Sequence, residues 1–340
     1  MNYRQLGKSG LVVSELCMGT MTFGTGDFFG MKYTLDQEKA NELVNKALDA
    51  GINFFDTADM YCNGESERIL SKALGQRRKD VIISTKLSFR AGNQAFNAGI
   101  NAKHIIEQCI ASLKNMNTEY IDVLLLHADD PITPIDESLK AMELLVQKGL
   151  VRYTGLSNFS AWKTATMIQR QKDLNYSPFV ASQMHYSILN REMEYEFIPM
   201  SLHHGLGMMV WSPLSSGFLS GKYTRENPKP EDSRLNTFDL GLFNRETAYD
   251  VVDKITEIAK NHHSSPTAVS IAWLLSKQVV STVILGVSKL EQLQSNLDAS
   301  SLHLSTDEIA AIDEVSKPQI RYPQNFAGMQ DPILKSAKRF

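Results

Sequence analysis

The sequence predicts an α/β protein, a closed (β/α)8 barrel. Three observations point there: eight short apolar runs, amphipathic patterns between them, and an asymmetry in the lengths of the connections. The runs are 16–19, 52–55, 81–85, 121–126, 151–156, 180–183, 208–211 and 282–285. Each is continuous rather than alternating, as expected of parallel strands buried on both faces. Between them, Ala40, Leu43, Val44, Ala47 and Leu48, and later Ile106, Cys109, Ile110 and Leu113, recur with the 3.6-residue period of a helix packed on one side.

Punctuation agrees with this parsing. Gly149 closes the helix that runs from Asp136, Ser265-Pro266 supplies an N-cap and first-turn proline, and Ser305 with Glu308 forms a capping box. An opening hairpin, 3–6 and 11–13 around Gly7-Lys8-Ser9-Gly10, is placed to plug one barrel end. Connections after helices are short, whereas 24–35, 87–101 and 214–245 follow strands and are long. In a barrel all strand-to-helix loops gather on the C-terminal face, where active sites are built. Segment 214–245 reads equally as a lid or as an irregular excursion. With no repeat or linker, residues 1–340 read as a single domain, its core spanning about 3–315 and a tail covering 319–340.

Composition removes several classes of function. The 35 basic and 38 acidic residues leave a formal charge of -3, with no basic run to meet a polyanion, so nucleic acid is not an expected partner. The basic cluster at 76–80 reads as a solvated turn. Cys17, Cys62 and Cys109 lack disulfide or metal spacing, which points to a reducing compartment, the cytosol. No secretory leader or long apolar segment is evident, so neither export nor membrane insertion is expected. The pairs His203-His204 and His262-His263 are expected to point to different helix faces rather than to one metal.

Gly19, Gly24, Gly26 and Gly30 invite a dinucleotide-binding reading that fails on spacing. The third fingerprint glycine falls at Phe29, and Gly30 comes one place late. Segment 24–30 reads as well as a flexible loop. More informative are the ionisable residues at the ends of three apolar runs: Asp56, Lys86 and His127, with Tyr61 five residues beyond Asp56. A free phenol is a weak acid at neutral pH, and a neighbouring ammonium such as Lys86 lowers its pKa. Asp56 supplies the counter-charge that a partly buried lysine needs. With His127 orienting a substrate oxygen, this set suits proton delivery to a carbonyl undergoing reduction.

The run Asp56-Thr57-Ala58-Asp59-Met60-Tyr61, followed by Gly64-Glu65-Ser66-Glu67, closely resembles the first signature of the aldo-keto reductases. In family order come Ser84-Thr85-Lys86, 122–127, Gly155-Leu156-Ser157-Asn158-Phe159, Gln183, Trp211-Ser212-Pro213-Leu214 and 284–296. The opening Tyr3-Arg4-x-Leu6-Gly7-x-Ser9-Gly10-Leu11 looks like the bacterial and potassium-channel-β-subunit branch. The resemblance implies NADPH-dependent reduction of an aldehyde or ketone, with Asp56, Tyr61, Lys86 and His127 as catalytic tetrad and Tyr61 as proton donor. It also implies that Ser157, Asn158 and Gln183 meet the nicotinamide carboxamide, that Trp211 lies near the ring, and that Gly19, Thr20 and Met21 line the cofactor site. Ser212, Leu214, Gly217 and Lys222 would follow the pyrophosphate, Ser215 and Ser216 reading as simple turn residues. Gly286, Ser288, Lys289, Gln292 and Asn296 would hold the adenosine end.

This sequence departs from the family there: Leu285 stands where proline is frequent, and no arginine occurs among Ser288, Lys289 and Gln292. NADPH is the expected cofactor through Lys289, and NADH use stays open. Phe29, Tyr33, Phe89 and Tyr186 are candidates for the substrate pocket. Cys62 reads either as a passive side chain or as an oxidation-sensitive thiol. The tail either covers the barrel mouth or hangs free. Beside the enzyme stand a scaffold subunit that keeps fold and cofactor, and a metal-dependent hydrolase, for which clustered His/Asp ligands are lacking. The substrate and the oligomeric state are not written in the sequence.

Overall fold

A computed structural model describes residues 1–28, 31–231, 233–236, 241–319 and 321–327. Two short strands open the chain, β1 (Tyr3–Gln5) and β2 (Val12–Ser14), paired antiparallel. β3 (Leu16–Gly19) follows, then a second antiparallel pair, β4 (Gly24–Phe28) and β5 (Met31–Leu35). Strands and helices then alternate: α1 (Gln37–Asp49), β6 (Phe54–Asp56), α2 (Glu65–Leu74), β7 (Ile82–Leu87), α3 (Ala102–Asn115), β8 (Ile121–Leu126), α4 (Ile135–Gln147) and β9 (Val151–Ser157). The second half brings α5 (Ala161–Asp173), β10 (Phe179–His185), α6 (Phe197–His204), β11 (Gly207–Trp211), α7 (Arg245–Asn261), α8 (Pro266–Leu275), β12 (Val280–Gly286), α9 (Leu290–Leu297) and α10 (Thr306–Val315).

Eight strands close a parallel barrel in the order β10-β11-β12-β3-β6-β7-β8-β9. All eight apolar runs are barrel strands, displaced by at most a few residues at their ends. The expected caps form as read: Ser265 accepts from the Ala268 amide with Pro266 in the first turn, and Ser305 with Glu308 makes the complete box.

The opening hairpin does plug the barrel. Leu6 and Val13 are fully buried in an interior cluster with Cys17, Phe54, Val123, Leu125, Ala181, Met209 and Ile284. Gly7 permits the approach: at φ +58, a Cβ there would lie 2.4 Å from the Val180 carbonyl oxygen. A larger apolar shell between barrel and helices holds residues such as Val44, Ile69, Ile105, Leu139, Ile255 and Trp273. The plug closes one end, so the polar strand ends occupy the other.

Several expectations change. Segment 24–35 is not an open loop, because 24–28 and 31–35 pair as a hairpin. It is tied to the turn after β6 by Glu65, which accepts from the Thr25 amide and hydroxyl. The basic cluster at 76–80 lies in a 3-10 segment rather than a fully solvated turn, and Arg78 pairs with the half-buried Asp122 at 2.7 Å. His203 and His204 close α6, their rings meeting edge to face with centroids 4.8 Å apart.

Candidate active site

The strand ends place Asp56, Lys86, His127 and Gln183 beyond the apolar plug. Alternation along a strand sends every second residue inward, so Phe54 fills the plug layer and Asp56 the layer above it. Asp56 is 3% exposed, and its carboxylate accepts three hydrogen bonds. Oδ1 takes Ser84 Oγ at 2.6 Å and Gln183 Nε2 at 2.8 Å, while Oδ2 takes Lys86 Nζ at 2.7 Å. β6 and β10 are opposite one another in the ring, so the Gln183 contact crosses the barrel's interior.

Lys86 is fully buried. Its ammonium donates to Asp56 and to the Thr57 carbonyl at 2.6 Å, and stands 3.4 Å from the Tyr61 hydroxyl. Burial alone would push its pKa down, but attraction to Asp56 and Tyr61 and the hydrogen bonds to them outweigh it and raise the pKa. A buried cation with a single carboxylate partner is stable only with such satisfaction of its donors.

Tyr61 begins a 3-10 turn, 61–64, in which Cys62 and Asn63 adopt left-handed conformations at φ 46 and 52. That turn aims the phenol back toward the strand ends. The Tyr61 and His127 rings meet edge to face with centroids 6.0 Å apart, and Phe89 meets His127 in the same way at 4.8 Å. Burial, reinforced by the Lys86 charge, holds the His127 imidazole well below its ordinary pKa, so the ring is neutral near pH 7.

On the far side of His127, Asn158 in the left-handed region (φ 59) donates to the His127 carbonyl at 2.9 Å and to Ser157 Oγ at 3.0 Å. Its Oδ1 accepts the Trp211 indole N–H at 3.1 Å. Beyond Trp211 the chain turns through Ser212, Ser215, Ser216 and Gly217, all at positive φ, the geometry in which successive amides form an anion-binding concavity. A Cβ on Gly217 would lie 3.9 Å from Lys222 Nζ, so that lysine overhangs the same turn. Leu214 packs its side chain against the core and contributes only backbone to the turn.

At the last strand, Gly286 is exposed with open space where a Cβ would stand. Ser288 and Lys289 precede α9, and Gln292 Oε1 accepts from the Ser288 amide at 2.8 Å. Lys289 and Gln292 are exposed and Asn296 is buried. Gly19 pairs with both Gly286 and Asp56 in the barrel register. A Cβ on Gly19 would come within 2.7 Å of Ile284, so packing alone demands glycine. Thr20 is buried, donating to the Asp56 carbonyl and contacting Ser66, while Met21 is only partly covered beside it.

Two pocket candidates move. Tyr186 is 1% exposed and lies outside the barrel wall, against Trp273 and bonded to Glu194 at 2.7 Å. Parity explains this: Gln183 and His185 share the inward face, so Met184 and Tyr186 face the helices. Phe29 lies outside the described residues, and for Tyr33 only its place in β5 is described. Burial pushes the Cys62 thiol up to about 11, which favours the passive reading of that side chain.

Two residues beside the site were not singled out from the sequence. His185 stacks on Trp211, centroids 4.5 Å apart and planes 27° from parallel. Asp59 lies within the signature run, and its carboxyl oxygens are buried without a hydrogen-bond partner. Burial, with Glu67 adding repulsion, holds its pKa well above the usual carboxylate range. Counting inward positions from Gln183 finds His185, whereas nothing in the sequence reveals the burial of Asp59.

His185 and His127 make acid sensitivity a test of this geometry. Burial lowers His185 to about 4 and His127 well below 6.5, so the unfolded chain takes up protons first as pH falls. Their stabilising contribution is present above about pH 6.5 and is lost below it, at about 1.4 kcal/mol per pH unit for each histidine. Urea midpoints should therefore hold between about pH 7 and 8 and fall toward pH 5, less steeply in His185→Phe.

The barrel mouth thus gathers a buried ammonium, a phenol and a neutral imidazole beside a turn of positive-φ residues. Comparison with known proteins agrees. The model of the aldo/keto reductase family matches residues 15–317, and the chain belongs to that family. It is 36% identical over 336 residues, 96% of this chain and all of the relative, to a probable voltage-gated potassium channel subunit beta from Arabidopsis thaliana. It is 34% identical over 350 residues, 93% of this chain and 92% of the relative, to aldo-keto reductase AMT2 of Alternaria alternata. It is accordingly an oxidoreductase acting on carbonyl groups.

Proposed function

We propose that the chain, working as one domain, is an NADPH-dependent reductase of aldehydes or ketones, with Tyr61 as proton donor. The observation that carries this reading is the Lys86 ammonium, bonded to Asp56 at 2.7 Å and standing 3.4 Å from the Tyr61 hydroxyl. A nicotinamide held beside Ser157, Asn158 and Gln183 would supply the hydride. Lys86 stabilises the phenolate that develops as Tyr61 gives its proton to the carbonyl oxygen, and Asp56 keeps Lys86 charged. Neutral His127 donates a hydrogen bond to the same oxygen.

The chain's geometry fits the dinucleotide. The positive-φ turn from Ser212 to Gly217, with Lys222 above it, suits a pyrophosphate, and the open space at Gly286 leaves room beside it. Ser157, Asn158 and Gln183 adjoin the nicotinamide end, with Gly19, Thr20 and Met21 at its edge. Exposed Lys289 at the start of α9, with Gln292 and Asn296, suits the 2'-phosphate. Carbonyl-dependent oxidation of NADPH by the purified protein tests the reading. Lys289→Ala should weaken NADPH binding about tenfold and leave NADH binding nearly unchanged, as a lost phosphate contact implies.

Identity to a probable channel β subunit along nearly the whole chain favours a second reading, an accessory subunit that retains this site. Co-elution with a large membrane partner in detergent, without carbonyl-dependent turnover, is the result it requires.

A further inference from the structure

The wall between His127 and the turn that starts at Ser212 is a chain of contacts that the reaction itself does not require. Trp211 packs against the interior apolar cluster and donates its indole N–H to Asn158 Oδ1 at 3.1 Å. The face of the ring is fixed by His185, stacked at 4.5 Å and 27°. His185 ends β10 on the same inward face as Gln183, whose amide reaches Asp56 across the barrel. Asn158 in turn is fixed by the His127 carbonyl and the Ser157 hydroxyl.

We propose that His185 is a positioning residue for the nicotinamide end: by stacking on one face of Trp211 it sets the plane of the indole, whose remaining surface the cofactor ring meets. The assignment rests on the cofactor reading given above. Burial lowers the His185 pKa to about 4, so the imidazole remains neutral through the working range and stacks without placing a charge beside the cofactor. An aromatic ring of any polarity would then serve, and an aliphatic side chain would not.

The test compares wild type, His185→Ala and His185→Phe, each labelled with fluorotryptophan, the Trp211 signal being assigned from Trp211→Phe. Without cofactor, the Trp211 fluorine resonance should be shifted or broadened in His185→Ala and restored in His185→Phe. The dissociation constant for NADPH should rise about three- to tenfold in His185→Ala and return to within about twofold of wild type in His185→Phe, the range expected for one aromatic contact. An unchanged resonance and dissociation constant in His185→Ala, or equal losses in both variants, overturns the role of His185 and leaves the cofactor reading intact. Failure of all three proteins to bind NADPH overturns the cofactor reading and this assignment with it.

Discussion

Tyr61→Phe is expected to lower kcat by about 10²- to 10⁴-fold, the usual contribution of a positioned general acid, while the dissociation constant for NADPH stays within about twofold of wild type. The phenol oxygen lies 3.4 Å from the buried Lys86 ammonium, and phenylalanine keeps the ring that meets His127 edge to face. Only an interaction made in the transition state is removed, so kcat and kcat/KM should fall together. Steady-state kinetics beside a fluorescence titration check both halves. Turnover at the wild-type rate would remove Tyr61 from the mechanism.

Asp56→Ala should be the most damaging single change to the fold. The variant leaves Lys86, fully buried, without its carboxylate, and leaves Ser84 and Gln183 without their common acceptor. Breaking a buried pair from one side typically costs about 3–5 kcal/mol. Denaturant unfolding should show a loss of that size. The double variant Asp56→Ala with Lys86→Met should regain a large part of it, because no buried charge then stands alone. Equal stability of the single and double variants would mean that the pair is not coupled as the 2.7 Å contact implies. Neither variant should retain reductase activity.

The barrel strands could be read from the sequence because a parallel strand covered on both faces must be apolar throughout, as Ile121–Leu126 is. The site was legible where an ionisable residue ends such a run, which singled out Asp56, Lys86 and His127. The contact between Gln183 and Asp56 was not, since it depends on closure bringing side chains of opposite strands within 2.8 Å of each other. Nor was the β4–β5 hairpin. Its first strand, Gly24 to Phe28, carries two glycines and no alternating apolar face, and its pairing is visible only in space. Tyr186, a pocket candidate, falls outside the mouth because strand parity puts His185 there and Tyr186 against Trp273. Asp59 and Asp122 look like ordinary acidic residues, and only packing shows that burial raises both.

The most direct measurement of the proposed chemistry follows the hydride itself. Wild-type protein is given an aldehyde and NADPH carrying deuterium at both C4 positions of the nicotinamide, and the alcohol is analysed by mass spectrometry and NMR. The result expected is an alcohol with a single deuterium on the carbinol carbon, formed by wild type and hardly at all by Tyr61→Phe. Cofactor that stays reduced with every carbonyl tried, or alcohol without deuterium, would contradict direct transfer at a site built from Asp56, Tyr61, Lys86 and His127.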